Sequence, residues 1–354
     1  MAGSRRISIA PCVFTLSLFL VFAWVGSGGA HEKWFYDASP FPTRWASVAR
    51  LPAVAGVVVA AALTLAAWLV WRALGRRDLI PGPQLLGATE AGRARFYAMV
   101  PFIVGIHVGL PLIVLGIQGD LFSPNNVLTG AARYWLGVVE IGVGVSLLYG
   151  ALTRLAGIVI AGLWLVGIAV VGLEPMLENV HYLGFAAFFF MTGRGPYAVD
   201  RLLFPRLEPA PRLARGAMSA VRVATGLSLV VVAFTEKLAD LDLAVAFLKR
   251  YPLNFTSWIG LPLADETFAA CAGATELVIG LWLMLGLFPR LIIVTAWLFI
   301  NMTLTVFNWV ELVGHLPVYG VMSVLLIWTP HPDDRRLWVR GVLGVDPDAR
   351  PSPR

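Results

Sequence analysis

Residues 140–154 read EIGVGVSLLYGALTR, and residues 276–290 read ELVIGLWLMLGLFPR. Each stretch opens on a carboxylate, carries glycines four and ten residues later, and closes on an arginine at the fourteenth. Glu140, Gly144, Gly150 and Arg154 thus match Glu276, Gly280, Gly286 and Arg290 at a constant offset of 136. Further along, His181, Pro196, Asp200 and Arg201 match His315, Pro330, Asp334 and Arg335 at an offset of 134. Two blocks in one order, separated by a small indel, indicate an internal duplication. Apolar runs of this length ending in arginine read as membrane helices. The fold class expected is therefore all-α: a polytopic transmembrane bundle built from a duplicated four-helix unit plus one extra N-terminal helix. An even helix number makes the two units parallel, related by an axis along the membrane normal.

Composition agrees. Of 354 residues, 58% are hydrophobic and 14% charged, against about 25% charged in soluble domains. The net charge of +6 comes from arginines at the ends of apolar runs, which is a topology signal and gives no reason to expect a nucleic-acid partner. The two cysteines, Cys12 and Cys271, provide neither a disulfide framework nor a CxxC site.

Residues 1–30 read as a signal peptide: Arg5 and Arg6, the apolar stretch Val13–Val25, then Gly28-Gly29-Ala30. Cleavage would leave His31-Glu32-Lys33-Trp34-Phe35 as the mature terminus; an uncleaved anchor is the alternative. Nine apolar segments follow, at 51–71, 97–117, 133–152, 155–173, 178–193, 217–235, 268–287, 291–309 and 312–328. With the N-terminus outside, 18 arginines fall on the cytoplasmic side and seven basic residues outside. This positive-inside bias predicts an inner-membrane protein with its C-terminus in the cytoplasm. The organisation expected is a signal at 1–30, an outer segment at 31–50, the extra helix at 51–74 and a cytoplasmic linker at 75–94. The first four-helix unit follows at 95–207, the second at 208–340, and a cytoplasmic tail at 341–354.

Ionisable groups within membrane segments are costly and mark function or pairing. At about 1.5 Å per residue, Glu140 and Glu276 both lie about 21 Å above the arginine that ends their helix. His107, His181, Glu236 and His315 fall at about the same level. The first unit thus offers His107, Glu140 and His181. The second offers Glu236, Lys237, Glu276 and His315 as candidate catalytic groups, with Asn301, Thr303 and Thr305 as candidate substrate contacts. Such groups can simply satisfy one another as packing, and the first-unit set is open to that structural reading. A carboxylate beside an imidazole can also pass protons near neutral pH, and a quinone takes two protons with two electrons. A metal on His107, Glu140 and His181, or on the amine and ring of His31, is the weaker reading because no ligand spacing supports it. Neither a haem histidine pair nor a flavin or iron–sulfur motif is present in the sequence.

Phe234-Thr235-Glu236-Lys237-Leu238, Gly273-Ala274-Thr275-Glu276-Leu277 with Gly280, Gly286 and Arg290, and Glu311-Leu312-Val313-Gly314-His315-Leu316-Pro317 together resemble the DoxX-like four-helix membrane proteins. The second unit is similar to that pattern over nearly its whole length, the first from Glu140 onward and without the Glu-Lys pair. The resemblance implies a membrane subunit of thiosulfate:quinone oxidoreductase type, a quinone as cofactor or substrate, and a partner subunit supplying electrons. Two other readings stay open: a small-solute or metal transporter, and a structural or assembly protein without chemistry of its own.

Overall fold

The computed structural model describes residues 31–204, 211–328 and 332–344. The leader expected at 1–30 and the end of the tail expected at 341–354 lie outside the described residues. Helix is the only extended regular structure among those described. In chain order the helices are α1 (Glu32–Phe35), α2 (Leu51–Ala73), α3 (Glu90–Gln118), α4 (Gly130–Tyr149), α5 (Thr153–Val170), α6 (Leu173–Glu178) and α7 (His181–Thr192). There follow α8 (Val199–Leu203), α9 (Pro211–Val232), α10 (Leu241–Arg250), α11 (Asp265–Leu285), α12 (Pro289–Leu304), α13 (Trp309–Leu325) and α14 (Pro332–Leu343). A π-helical turn, Ala233–Leu238, continues α9.

Among the described residues, six helices are long and apolar enough to cross a membrane: α2, α3, α4, α5, α9 with its π-helical extension, and α11. The shortest has 18 residues, about 27 Å at the usual rise, close to the ~30 Å hydrocarbon thickness. The protein is a polytopic all-α membrane protein. Three other expected segments are shorter helices of 12, 16 and 17 residues, α7, α12 and α13. The segment at 178–193 is interrupted, with α6 ending at Glu178 and α7 starting at His181. The segment at 291–309 stops at Leu304, and Asn308 opens α13 by accepting from Val310 N at 2.9 Å.

Packing divides the chain into two compact units that cut across the sequence repeat. One runs to Ile80 and resumes over Leu229–Val306; the other comprises Pro81–Ser228 and the chain from Phe307. In the first, α2 turns a stripe of small residues, Ala53, Gly56 and Ala60, to the interior while Leu51, Val58 and Leu65 stay exposed. A Cβ added at Gly56 would stand 3.1 Å from Ala270 O, so α2 and α11 touch backbone to backbone, the packing lipid-embedded helices favour. In the second, α3 and α4 do the same. A Cβ at Gly109 would meet Gly144 O at 2.8 Å, and one at Gly116 would meet Gly137 O at 2.8 Å. Gly144 of the repeated block is thus a helix-contact residue.

The other repeated glycine makes a turn. Gly150 and Leu152 are left-handed at φ 69° and 55°, and Gly286 and Phe288 at φ 70° and 42°, again 136 residues apart. The helices that follow are capped differently. Asp200 accepts from Leu152 N at 2.6 Å and Thr153 N at 2.9 Å, whereas Asp78 accepts from Arg290 N at 2.8 Å. Asp334, the repeat partner of Asp200, instead holds Arg93 and Gln84, and so ties α14 to the start of α3.

Candidate functional site

The first compact unit buries a cluster of charge where the π-helical turn meets α11. Over Ala233–Leu238 the wider π-helical winding places consecutive Glu236 and Lys237 both inside, each 1% exposed. Such turns interrupt the regular hydrogen-bond ladder and recur at functional sites. Gly273 makes room for it: a Cβ there would lie 2.9 Å from both Lys237 Cβ and Leu238 Cγ. One turn along α11, Glu276 Oε1 stands 3.1 Å from Lys237 Nζ.

Two further members come from the segment before the first long helix. Glu32, also buried, places Oε1 3.8 Å from Lys237 Nζ, and its backbone N–H donates to Glu236 Oε2 at 2.6 Å. His31 Nδ1 lies 3.3 Å from Glu236 Oε1, with its ring stacked on Trp34 at 4.1 Å. The rest of the segment is fastened down. Arg44 N donates to Ala239 O at 3.2 Å, and Arg50 pairs with Asp242 at 2.7 Å and Glu266 at 2.8 Å. Burial works against a charged His31, but the Glu236 carboxylate outweighs it and raises the imidazole pKa. Burial raises the Glu32 carboxyl well above its ordinary value, against the pull of Lys237. Glu32 Oε2, Glu276 Oε2 and Thr235 Oγ1 are buried without a hydrogen-bond partner. The cluster therefore sets three carboxylates against one ammonium and one imidazole at ion-pair distance, and keeps acceptor oxygens in reserve.

Of the residues expected from sequence, Glu236, Lys237 and Glu276 are brought together. His315 belongs to the other compact unit, on α13, where Nδ1–H donates one turn back to the Glu311 carbonyl at 3.0 Å and lies 3.5 Å from Glu311 Oε1. Asn301, Thr303 and Thr305 direct their side chains to carbonyls of Trp297, Ile300 and Met302 three or four residues earlier, the local bond that short polar side chains readily make. In the second compact unit His107, Glu140 and His181 have separate partners: the Ile103 carbonyl at 2.8 Å, the Phe122 backbone N–H at 3.0 Å and Ser228 Oγ at 3.0 Å. Glu140 is fully buried, and its Oε2 has no hydrogen-bond partner.

Sequence reasoning missed Glu32 as a site residue and Glu311 as the partner of His315, and weighed His31 only as a metal ligand. The available signal was the charged HEKWF run, which ends fifteen residues short of the first membrane helix at Leu51. Among the described residues no group of three or more His, Cys, Asp or Glu side chains is arranged to hold a metal ion. No protein-family model, curated protein or solved structure matches the chain.

Proposed function

We propose that the protein is the membrane subunit of a quinone-linked redox complex, and that the Glu236–Lys237–Glu276 cluster, with His31 and Glu32, exchanges protons with a quinone. The observation that carries this reading is the gathering of five ionisable side chains, of which Glu32, Glu236 and Lys237 are buried and His31 and Glu276 part-buried, with partnerless oxygens on Glu276 and Glu32. Groups so costly to bury call for a functional account. Reduction of a quinone to a quinol takes two electrons and two protons. Glu276 and Glu32 would pass the protons, Lys237 would stabilise the anionic oxygen formed as electrons arrive, and a partner protein would supply the electrons. In this reading the N-terminus faces outside and the C-terminus the cytoplasm, following the arginine distribution. The resemblance to DoxX-like proteins points the same way.

A second reading has its own support: His31 and Glu32 are anchored on Glu236 from 205 and 204 residues away, so the cluster could serve only to clamp segment 31–50. Solvent extraction of the protein purified with its native lipids separates the two. The redox reading expects quinone at close to one per chain, lost in Glu276→Gln while the fold survives. Quinone-free, folded wild-type protein would favour the clamp.

A further inference from the structure

The second compact unit holds a cavity of about 230 Å3 between the α4–α5 turn and the chain that leaves α7. Arg154, Arg194 and Arg201 line it together with Asp200. Arg194 is 1% exposed, and its place is fixed. Nε donates to Leu147 O and Nη2 to Leu148 O, both at 2.6 Å, which caps the last carbonyls of α4. The guanidinium also lies 4.3 Å from the centre of the Phe102 ring. Nη1 is left buried without a hydrogen-bond partner, a state that costs energy unless a ligand fills it. Burial lowers the Arg194 pKa to about 10, so the group is charged at neutral pH. Asp200 offsets one of the three arginine charges, and its two oxygens cap the backbone N–H groups of Leu152 and Thr153. Arg154 lies at the rim, donating Nε to Phe190 O at 2.9 Å, and the lining beside it is apolar and exposed, with Leu155 52% and Phe204 44% accessible.

We propose that this pocket binds a phosphate group, with the Arg194 guanidinium set in its wall and Arg154 as the rim cation. Guanidinium groups recognise phosphate through charge-assisted hydrogen bonds. The volume falls below the ~300–1,000 Å3 of sites for drug-sized ligands, which suits a single headgroup better than a nucleotide or a quinone ring. The pocket sits at helix ends, where Arg154 opens the first turn of α5 and Arg194 follows the last residue of α7 by two. A basic pocket between membrane helices with an apolar, exposed lip is the setting in which anionic lipid headgroups bind. The same chemistry would admit a soluble phosphate.

The test uses the full-length protein, delipidated in neutral detergent, with thermal unfolding followed by tryptophan fluorescence. Phosphatidylglycerol, phosphatidylcholine and inorganic phosphate are titrated separately, and phosphate is then titrated against the phosphatidylglycerol complex. Stabilisation by phosphatidylglycerol and not phosphatidylcholine, unaffected by inorganic phosphate, assigns a lipid headgroup. Stabilisation by inorganic phosphate, or displacement by it, assigns a phosphate site filled from solution. In either case Arg154→Gln should weaken binding about five-fold, the equivalent of about 1 kcal/mol per basic side chain near a membrane surface, while Arg72→Gln, outside the pocket, should change nothing. Arg194→Lys keeps a charge and loses the fork, and should weaken binding at least as much. If that variant does not fold, Arg154→Gln alone decides. Equal responses to both lipids, no response to any of the three, or binding unchanged in Arg154→Gln would overturn the proposal.

Discussion

Lys237 Nζ stands 3.1 Å from Glu276 Oε1, with the ammonium 1% exposed and the carboxylate side chain 17% exposed. One ion pair thereby ties the π-helical turn to α11, and the second contact of the same ammonium, to Glu32, extends the tie to the segment before α2. Breaking a buried pair by removing one partner leaves the other charge uncompensated, at a cost of about 3–5 kcal/mol. Lys237→Met should show that loss in thermal or denaturant unfolding. Adding Glu276→Leu should recover part of it, so the double variant should be more stable than the sum of the single changes implies. Strict additivity would mean that the two groups are not coupled.

Segment 31–50 should respond to pH with a defined sign. The His31 pKa is raised in the folded protein, so its contribution is complete below about 6.5, the unfolded value, and is lost as pH rises through the folded one. Glu32, also raised, binds a proton more readily when folded, so its contribution likewise declines as pH rises from about 4.3 through its folded value. Protection of residues 31–50 from hydrogen exchange, after correction for the intrinsic rate, should therefore fall as pH is taken above about 6.5. His31→Gln should flatten the upper part of that curve. A segment whose protection grows on alkalinisation would contradict the arrangement.

Gly273 offers a steric test of the same geometry. A methyl group there would press on Lys237 Cβ and Leu238 Cγ at 2.9 Å, and overpacking of this kind costs about 1–3 kcal/mol. Gly273→Ala should lower the melting temperature and weaken the Lys237–Glu276 pair. Gly142→Ala, where a methyl group would meet nothing beyond the backbone of its own helix within 4 Å, should be neutral or slightly stabilising.

Orientation can be read with cysteines placed at Ser39, which is exposed, and at Ser352, in a Cys271→Ala background. A membrane-impermeant maleimide applied to intact cells should label only the first. Labelling at both positions would rule out the outside-to-inside arrangement of the termini.

The membrane helices were legible because burial in lipid demands long apolar runs, but each repeated helix ends at Gly150 or Gly286, and Arg154 and Arg290 stand in the first turn of the helix that follows. Glu236, Lys237 and Glu276 were legible too, since charge inside such a run stands out against apolar neighbours. The part played by His31 and Glu32 was not, because it depends on contacts spanning 205 and 204 residues, which periodicity does not encode. Asn301, Thr303 and Thr305 are candidate substrate contacts by position, and the structure adds that their side chains bond carbonyls three or four residues earlier. The repeat, too, reports resemblance between segments and not which helix docks on which. The compact units therefore join residues up to Ile80 with Leu229–Val306, across the repeat boundaries.

A proton-exchanging quinone site at Glu276 makes a prediction for equilibrium binding of a photoreactive quinone to the protein in nanodiscs, with the crosslinked peptide sequenced. Wild-type protein and Glu140→Gln should bind saturably and crosslink within 233–238 or 265–285. Glu140→Gln is the control because the glutamine amide oxygen would keep an acceptor for Phe122 N, and the change should cost no more than about 1 kcal/mol of stability. Glu276→Gln should remain folded and lose the crosslink. Unsaturable labelling of the wild type, or labelling of equal strength in Glu276→Gln, would contradict a quinone site at this carboxylate.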